Sequence, residues 1–279
     1  MLYEIDSAIT AFSTERRTQD IDQPYAGFNV TPYVGDSPSR IGVCQRQLAK
    51  YLHIPVHQLI IPHQVHGNRM LVVDQSLLQR LSEDTFKESQ PEDVVGWDGA
   101  YQSPLLDGYD ALLTNLPEVC IGVSTADCVP LLFYDTRTRA MAVAHAGWRG
   151  TVLRIGVLTL ARMYEVFGSR GKDVLCVIGP SIGPRAFEVN EDVFDAFRLA
   201  SFPMEQIAHR LLPADSQVPR RWCIDLWKAN AWQLQEAGIP PQNISITGIC
   251  TYTDYNRFFS ARRLGINSGR IFSGILRRQ

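Results

Sequence analysis

Residues 125–150 read TADCVPLLFYDTRTRAMAVAHAGWRG, and the way this stretch turns back on itself decides the fold. Val129 to Tyr134 and Ala140 to Ala144 are short runs rich in apolar residues, separated by the turn-forming Asp135-Thr136-Arg137-Thr138. A four-residue turn pairs Tyr134 with Arg139, and the same antiparallel register sets Cys128 opposite His145. Directly opposed residues share a face of the sheet, with Cβ atoms roughly 4.5–5.5 Å apart. A register shift of two keeps both side chains on that face, whereas a shift of one turns them to opposite faces.

Outward from the hairpin, Val119 to Val123 reads as a preceding strand. A following helix is capped by Thr151, carries Val152, Ile155, Thr159, Met163 and Val166 or Phe167 along one side, and stops at Gly168. Val174 to Ile178 and Ile244 to Cys250 read as strands, Glu191 to Ala200 as a helix, and Asp225 caps a helix ending near Gly238. Upstream, Ser37-Pro38 opens a helix whose Ile41, Cys44, Leu48 and Leu52 recur at three- and four-residue spacing. Residues 75 to 104 read as a surface excursion, with a short helix carrying Leu77, Leu78 and Leu81 and then a polar stretch. Strands and helices mix without a regular βαβ rhythm. The expectation is one α+β domain over residues 1–279, with mixed β-sheets flanked by helices.

The 279 residues carry 27 basic and 29 acidic side chains, a formal charge of −2, which argues against the basic footprint of a nucleic-acid binder. No window approaches the ~18 apolar residues of a membrane span, and the first residues, Met1 to Asp6, lack a basic leader. Six cysteines without a CxxC pair fit reduced thiols, so the protein is expected in the cytoplasm, away from nucleic acid and membrane.

Cys128 and His145 on neighbouring strands make half of a transition-metal site, and His66 in Gln64-Val65-His66-Gly67 is the best third ligand in the chain. Three His/Cys ligands leave one position open, the arrangement of catalytic zinc; structural zinc takes four. The same residues also fit a buried small cysteine with each histidine bonded to a carbonyl. His63, three residues before His66, faces the opposite side if the segment is extended. It belongs behind the ligands or at the surface.

These motifs resemble the laccase-domain family, described both as multicopper polyphenol oxidases and as purine nucleoside phosphorylases with adenosine deaminase activity. The resemblance runs through Gly27-Phe28-Asn29, Gln64-Val65-His66-Gly67, Asp110-Ala111, residues 125–130 and 144–150, Gly179 to Gly183, Phe187-Glu188-Val189, Cys250-Thr251, Phe258 to Arg263 and Gly269-Arg270. It implies that His66, Cys128 and His145 bind a metal, zinc or copper. The chain departs from the family at Cys44-Gln45, where an Asn-Arg pair is usual and Arg46 is adjacent, and in its longer connection between His66 and Asp110. That extra length is expected to be a lid, an oligomer contact or a solvated loop.

A blue multicopper enzyme uses about ten histidines, commonly in His-x-His pairs, to hold its coppers. This chain has six and no such pair, which excludes that architecture. A single copper at the same ligands would still oxidise phenols slowly. The resemblance instead implies phosphorolysis of adenosine, inosine or methylthioadenosine, and deamination of adenosine. Gly147-Trp148-Arg149-Gly150-Thr151 opens a helix where inorganic phosphate could sit, with Arg149 adding a charge-assisted contact; a plain strand-to-helix turn is the alternative. Asp127 is the candidate for acid/base work or for orienting a ligand, Asn29 for substrate contact, and Glu188 for a structural role. Two other classes stay open: a metal-free cysteine hydrolase using Cys128 with His145 as its base, and a zinc-stabilised binding protein without turnover.

Overall fold

The structure is a computed structural model and describes residues 1–88, 99–211 and 221–279. The hairpin forms as Val129–Asp135 against Met141–Ala146, both strands buried along their whole length. It lies at the centre of a six-stranded sheet in the order Ile244–Ile246, Val174–Ile178, Val129–Asp135, Met141–Ala146, Ala111–Thr114, Met70–Val72. A second sheet of five strands runs Leu2–Tyr3, Ile9–Ser13, Ile271–Arg277, Cys120–Thr125, Leu59–Ile60. Both mix parallel and antiparallel pairs, as the α+β reading expects.

The alternation of apolar residues sorts the hairpin into two cores. Leu132, Tyr134, Met141 and Val143 face the five-stranded sheet, meeting Ala11, Ile121, Val123 and Ile275. Leu131, Phe133, Ala142 and Ala144 face the other way, onto the helices Ile155–Phe167 and Leu226–Glu236 through Ile155, Met163 and Leu234. On the far side of the five-stranded sheet, the helix Pro38–Tyr51 packs Leu48 and Ala49 beside Phe12, Cys120 and Phe272. The result is a four-layer order of helix, sheet, sheet and helix. Chain continuity between the sheets is short: Cys120–Thr125 ends one, Val129 begins the other, and Ala126-Asp127-Cys128 make the step, with Asp127 at φ +86°.

The register corrects the expected pairing. Tyr134 faces Met141 and Pro130 faces His145, a shift of two residues from the four-residue turn. The loop is wider because the Asp135 carboxylate accepts the amides of Arg137 and Thr138, while Arg139 at φ +63° donates its amide to the Asp135 carbonyl. Since the shift is even, Cys128 and His145 keep the same face.

Three other expectations change. The helix after the hairpin is not one piece capped by Thr151. It starts at Trp148, breaks at Arg154 in the left-handed region, and resumes as Ile155–Phe167. Thr151 is fully buried within the first piece, where its hydroxyl donates to the Ala146 carbonyl and accepts from Asn230. The strand expected over Ile244 to Cys250 covers only Ile244–Ile246, and Cys250 instead makes an isolated bridge to Ser181. At the 75–104 stretch, residues 89–98 lie outside the described residues. The two ends are built into the core: the helix Gln75–Glu88 buries Leu77, Leu78 and Leu81, and Tyr101, Ser103 and Leu106 are buried on the return.

Candidate metal centre

His66, Cys128 and His145 come together at the end of the sandwich where the chain steps between sheets. Their potential ligand atoms all lie within 4.8 Å of one another. Each is placed by a different element: Cys128 by the three-residue step, His145 by the end of Met141–Ala146, and His66 by the loop between Leu59–Ile60 and Met70–Val72. The two imidazoles meet edge to face, with ring centroids 4.8 Å apart. Gly147 permits this approach, because a Cβ there would stand 2.8 Å from the Cys128 sulfur.

One buried carboxylate organises the cluster. Asp110 Oδ1 lies 2.8 Å from His145 Nδ1 and accepts the His66 amide at 3.0 Å. Its Oδ2 accepts the amides of Gly67 and Val65 at 2.7 and 3.3 Å. Three consecutive amides aimed at one carboxylate hold the loop in a tight curl with His66 at φ +60°. The Asp110 contact to Nδ1 leaves His145 Nε2 for the cluster, as is usual behind metal-binding histidines. Burial pushes the Asp110 carboxyl up, but the hydrogen bond and charge of His145, with the loop amides, hold it below the usual carboxylate range. The sequence reading gave Asp110 no role; the available signal was an acid immediately before the wholly buried strand Ala111–Thr114.

Electrostatics prepare the donors. Burial raises the Cys128 thiol, but the His145 charge and hydrogen bonds from His145 and His66 outweigh it and bring the group to about 6. Burial lowers His145, yet the Cys128 thiolate and Asp110 hold it at about 9. A thiolate and two imidazoles, one fixed by a carboxylate, suit zinc or copper, and three protein donors leave coordination room on the cavity side. The three open onto a cavity of about 220 Å³, lined also by Thr31, Tyr33, His63, Gln64, Thr125 and Arg270.

The remaining sequence candidates fall elsewhere. Asp127 accepts the Thr251 hydroxyl at 2.7 Å and the Arg262 amide at 2.6 Å, so both oxygens tie the step before Cys128 to the C-terminal segment. Asn29 is buried behind the cavity wall, its Oδ1 accepting the amides of Thr31 and Arg270 and its amide group donating to Asp36. Arg149 is exposed, with its guanidinium over the Trp148 ring at 4.3 Å, and does not line the cavity. Glu188 is exposed and pairs with Arg221. His63 does line the cavity, stacked on Tyr33 at 4.3 Å and 3.5 Å from Asp107.

Residues 10–278 match the family model described as multi-copper polyphenol oxidoreductase laccase. The chain belongs to this laccase-domain family. Among the described residues, the laccase-domain chain holds one group of three or more metal-ligating side chains, and all six of its histidines are described. The name's plural coppers therefore have no second ligand set among those residues. The chain is 40% identical over 270 residues, 97% of its length and 92% of the relative's, to a protein of Bacteroides thetaiotaomicron called purine nucleoside phosphorylase. It is 38% identical, over 97% and 94% of the two lengths, to adenosine deaminase RL5 from an unknown prokaryotic organism. The crystal structure of YlmD from Geobacillus stearothermophilus superposes with a TM-score of 0.79 at 28% identity, covering 98% of this chain and 93% of that one. No helix among the described residues is long and apolar enough to cross a membrane.

Proposed function

We propose that this laccase-domain protein is a zinc-dependent purine nucleoside enzyme that phosphorolyses adenosine, inosine or methylthioadenosine with inorganic phosphate and deaminates adenosine. The observation that carries the reading is the His66–Cys128–His145 cluster opening onto a cavity that also holds a cationic and an aromatic wall. The names of the relatives supply the substrate class. Zinc in this set of ligands supplies Lewis acidity without redox chemistry.

The chain's own residues do the rest. The stacked Tyr33 and His63 offer a flat face for a purine. Thr125 is fully buried and lines the cavity, and its hydroxyl has no hydrogen-bond partner among the described residues, so it is free to bond the ribose or the base. In phosphorolysis a phosphate oxygen forms the bond to C1′ as the C1′–N9 bond breaks, and the purine takes up a proton. In deamination water adds at C6 and ammonia leaves. Closing the base into a walled cavity orients both reactions.

A second reading has its own observation. Cys128, His145 and Asp110 stand in the order nucleophile, base and orienting acid, as in a cysteine hydrolase. His66 distinguishes the two, since a hydrolase of that kind has no use for a second imidazole at the thiolate.

The test incubates zinc-loaded, copper-loaded and metal-free protein with each nucleoside, with and without phosphate, and resolves the products; phenol oxidation is assayed in parallel. Pentose 1-phosphate that appears only with phosphate, together with loss of stoichiometric metal and of turnover in both Cys128→Ala and His66→Ala, is the expected result. Full activity of the metal-free protein, abolished by alkylating Cys128, would establish the hydrolase instead.

A further inference from the structure

Arg270 is the one arginine that lines the metal cavity among the described residues. It is half-buried, and among the described residues no carboxylate pairs with it. Its guanidinium bonds only to neutral oxygens of its own loop: one terminal nitrogen to the Ser268 and Gly269 carbonyls and the Ser268 hydroxyl, the other to the Ile266 carbonyl. These contacts fix the far edge of the planar fork on the 266–269 turn. Nε has no hydrogen bond among the described residues. The backbone is held as well, since the Arg270 amide donates to Asn29 Oδ1, the same oxygen that accepts the amide of Thr31, another lining residue. Asn29, expected to touch substrate, thus positions two lining segments.

Burial pushes this group below the usual arginine value, and the charges that oppose the shift, Cys128, Tyr25 and Asp127, act on it without forming an ion pair. Charge counting shows what would relieve it. A divalent ion held with the Cys128 thiolate and the Asp110 carboxylate is neutral as a set, since His66 and His145 must be uncharged to ligate. Among the residues lining the cavity, Arg270 is then the one permanent charge, with Asp127 acting on it from outside the lining. An arginine fork is the best protein partner for a tetrahedral oxyanion.

We propose that Arg270, and not Arg149, is the anion-binding residue of the metal cavity, holding a phosphoryl group opposite the His66–Cys128–His145 cluster. This rests on the phosphorolysis reading for its identification of inorganic phosphate as the occupant. The same chemistry would hold the phosphate of a nucleoside 5′-monophosphate, which the experiment separates.

Inorganic phosphate is titrated calorimetrically into metal-loaded wild type, Arg270→Gln, Arg270→Lys and Arg149→Gln, without nucleoside. Metal content and circular dichroism are recorded for each. Adenosine 5′-monophosphate is then titrated with and without saturating phosphate. The proposal expects phosphate binding to weaken by about ten- to a hundredfold in Arg270→Gln. Arg270→Lys, which keeps the charge but loses the fork, is expected to weaken it less, and Arg149→Gln to leave it unchanged. In turnover, the KM for phosphate rises by a larger factor than the KM for nucleoside. Weakening by Arg149→Gln, or wild-type phosphate affinity in either Arg270 variant, would overturn it. If Arg270→Gln does not fold, the Arg270→Lys titration decides. A wild type that binds phosphate through Arg270 but forms no pentose phosphate would defeat the phosphorolysis reading and leave the anion site standing. Competition between adenosine 5′-monophosphate and phosphate, with much tighter binding of the nucleotide, would identify the ester as the occupant and overturn the assignment of inorganic phosphate.

Discussion

Two cavities lie on either side of one wall, and the smaller has the chemistry. The larger, about 520 Å³, is lined by Gly183, Arg185, Glu188, Trp227, Cys250 and Arg262 among others. It offers more space and more aromatic surface than the 220 Å³ metal cavity, yet no cluster of ligating side chains converges on it among the described residues. Asp127 ties the two together: its neighbours Ala126 and Cys128 line the smaller cavity, while its carboxylate takes the Thr251 hydroxyl and the amide of Arg262, which lines the larger, and its carbonyl accepts the Ile182 amide. Volume measures what can enter. What can react is set by convergent donors and a supporting carboxylate, and those are confined to the smaller side.

The strongest way to sharpen that contrast is to remove the carboxylate. Asp110→Asn keeps the size of the side chain but takes away the charge behind His145 and turns one of its two acceptor oxygens into a donor that faces the His66 loop or His145. Metal affinity is expected to fall about ten- to a hundredfold, with turnover following metal occupancy. Wild-type affinity in a chelator competition would show that the two histidines hold their places without it.

A second measurement tests the electrostatics in metal-free protein. The Cys128 thiolate is expected to appear in ultraviolet absorbance with a midpoint near 6, present above that pH and lost below it. The sign follows from a depressed acid: stability from the thiolate is present above the ordinary thiol value and disappears as pH falls through about 6. The partner runs the other way, since raised His145 contributes below its ordinary value and loses that contribution as pH rises through about 9. His145→Ala should move the thiolate midpoint upward, toward or beyond that of an ordinary cysteine, because burial then acts unopposed. An unmoved midpoint would mean that the pair does not form.

The smallest effect is expected across the wall. Arg185→Gln changes an exposed charge in the larger cavity, and kcat and KM for nucleoside should stay within about twofold of wild type, as for most surface substitutions. A larger change would bring the 520 Å³ cavity into the reaction and end the contrast drawn between the two.

Legibility in the sequence followed the distance over which each feature is encoded. The hairpin strands were readable because their apolar runs and the turn-forming residues between them are local signals. The Ser37-Pro38 helix and the Asp225 cap were readable because their spacing and start signals are local too, and the structure shows Pro38–Tyr51 and the Asp225 carboxylate accepting the Lys228 amide. The turn was misjudged by two residues because the Asp135 side chain, and not chain length alone, sets the loop. Thr151 looked like a cap since hydroxyl residues favour that position, but packing buried it and made Asn230 its partner.

By itself the sequence pointed to a shared face for Cys128 and His145, and the observed register kept it because the slip is even; an odd slip would have parted them. It also determined the histidine count that rules out a blue multicopper architecture. Tertiary structure alone decided which acid stands behind the ligands and which arginine enters the cavity. Asp110 reaches His145 across 35 residues and the His66 amide across 44, and no local pattern of charge or apolarity encodes contacts made only when two sheets close on each other. Arg149, adjacent to the histidine in sequence, is turned outward onto Trp148, while Arg270 arrives from the strand that pairs with Cys120–Thr125. Proximity along the chain was the wrong guide there, because helix direction after Gly147 carries the side chain at 149 away from the cavity wall.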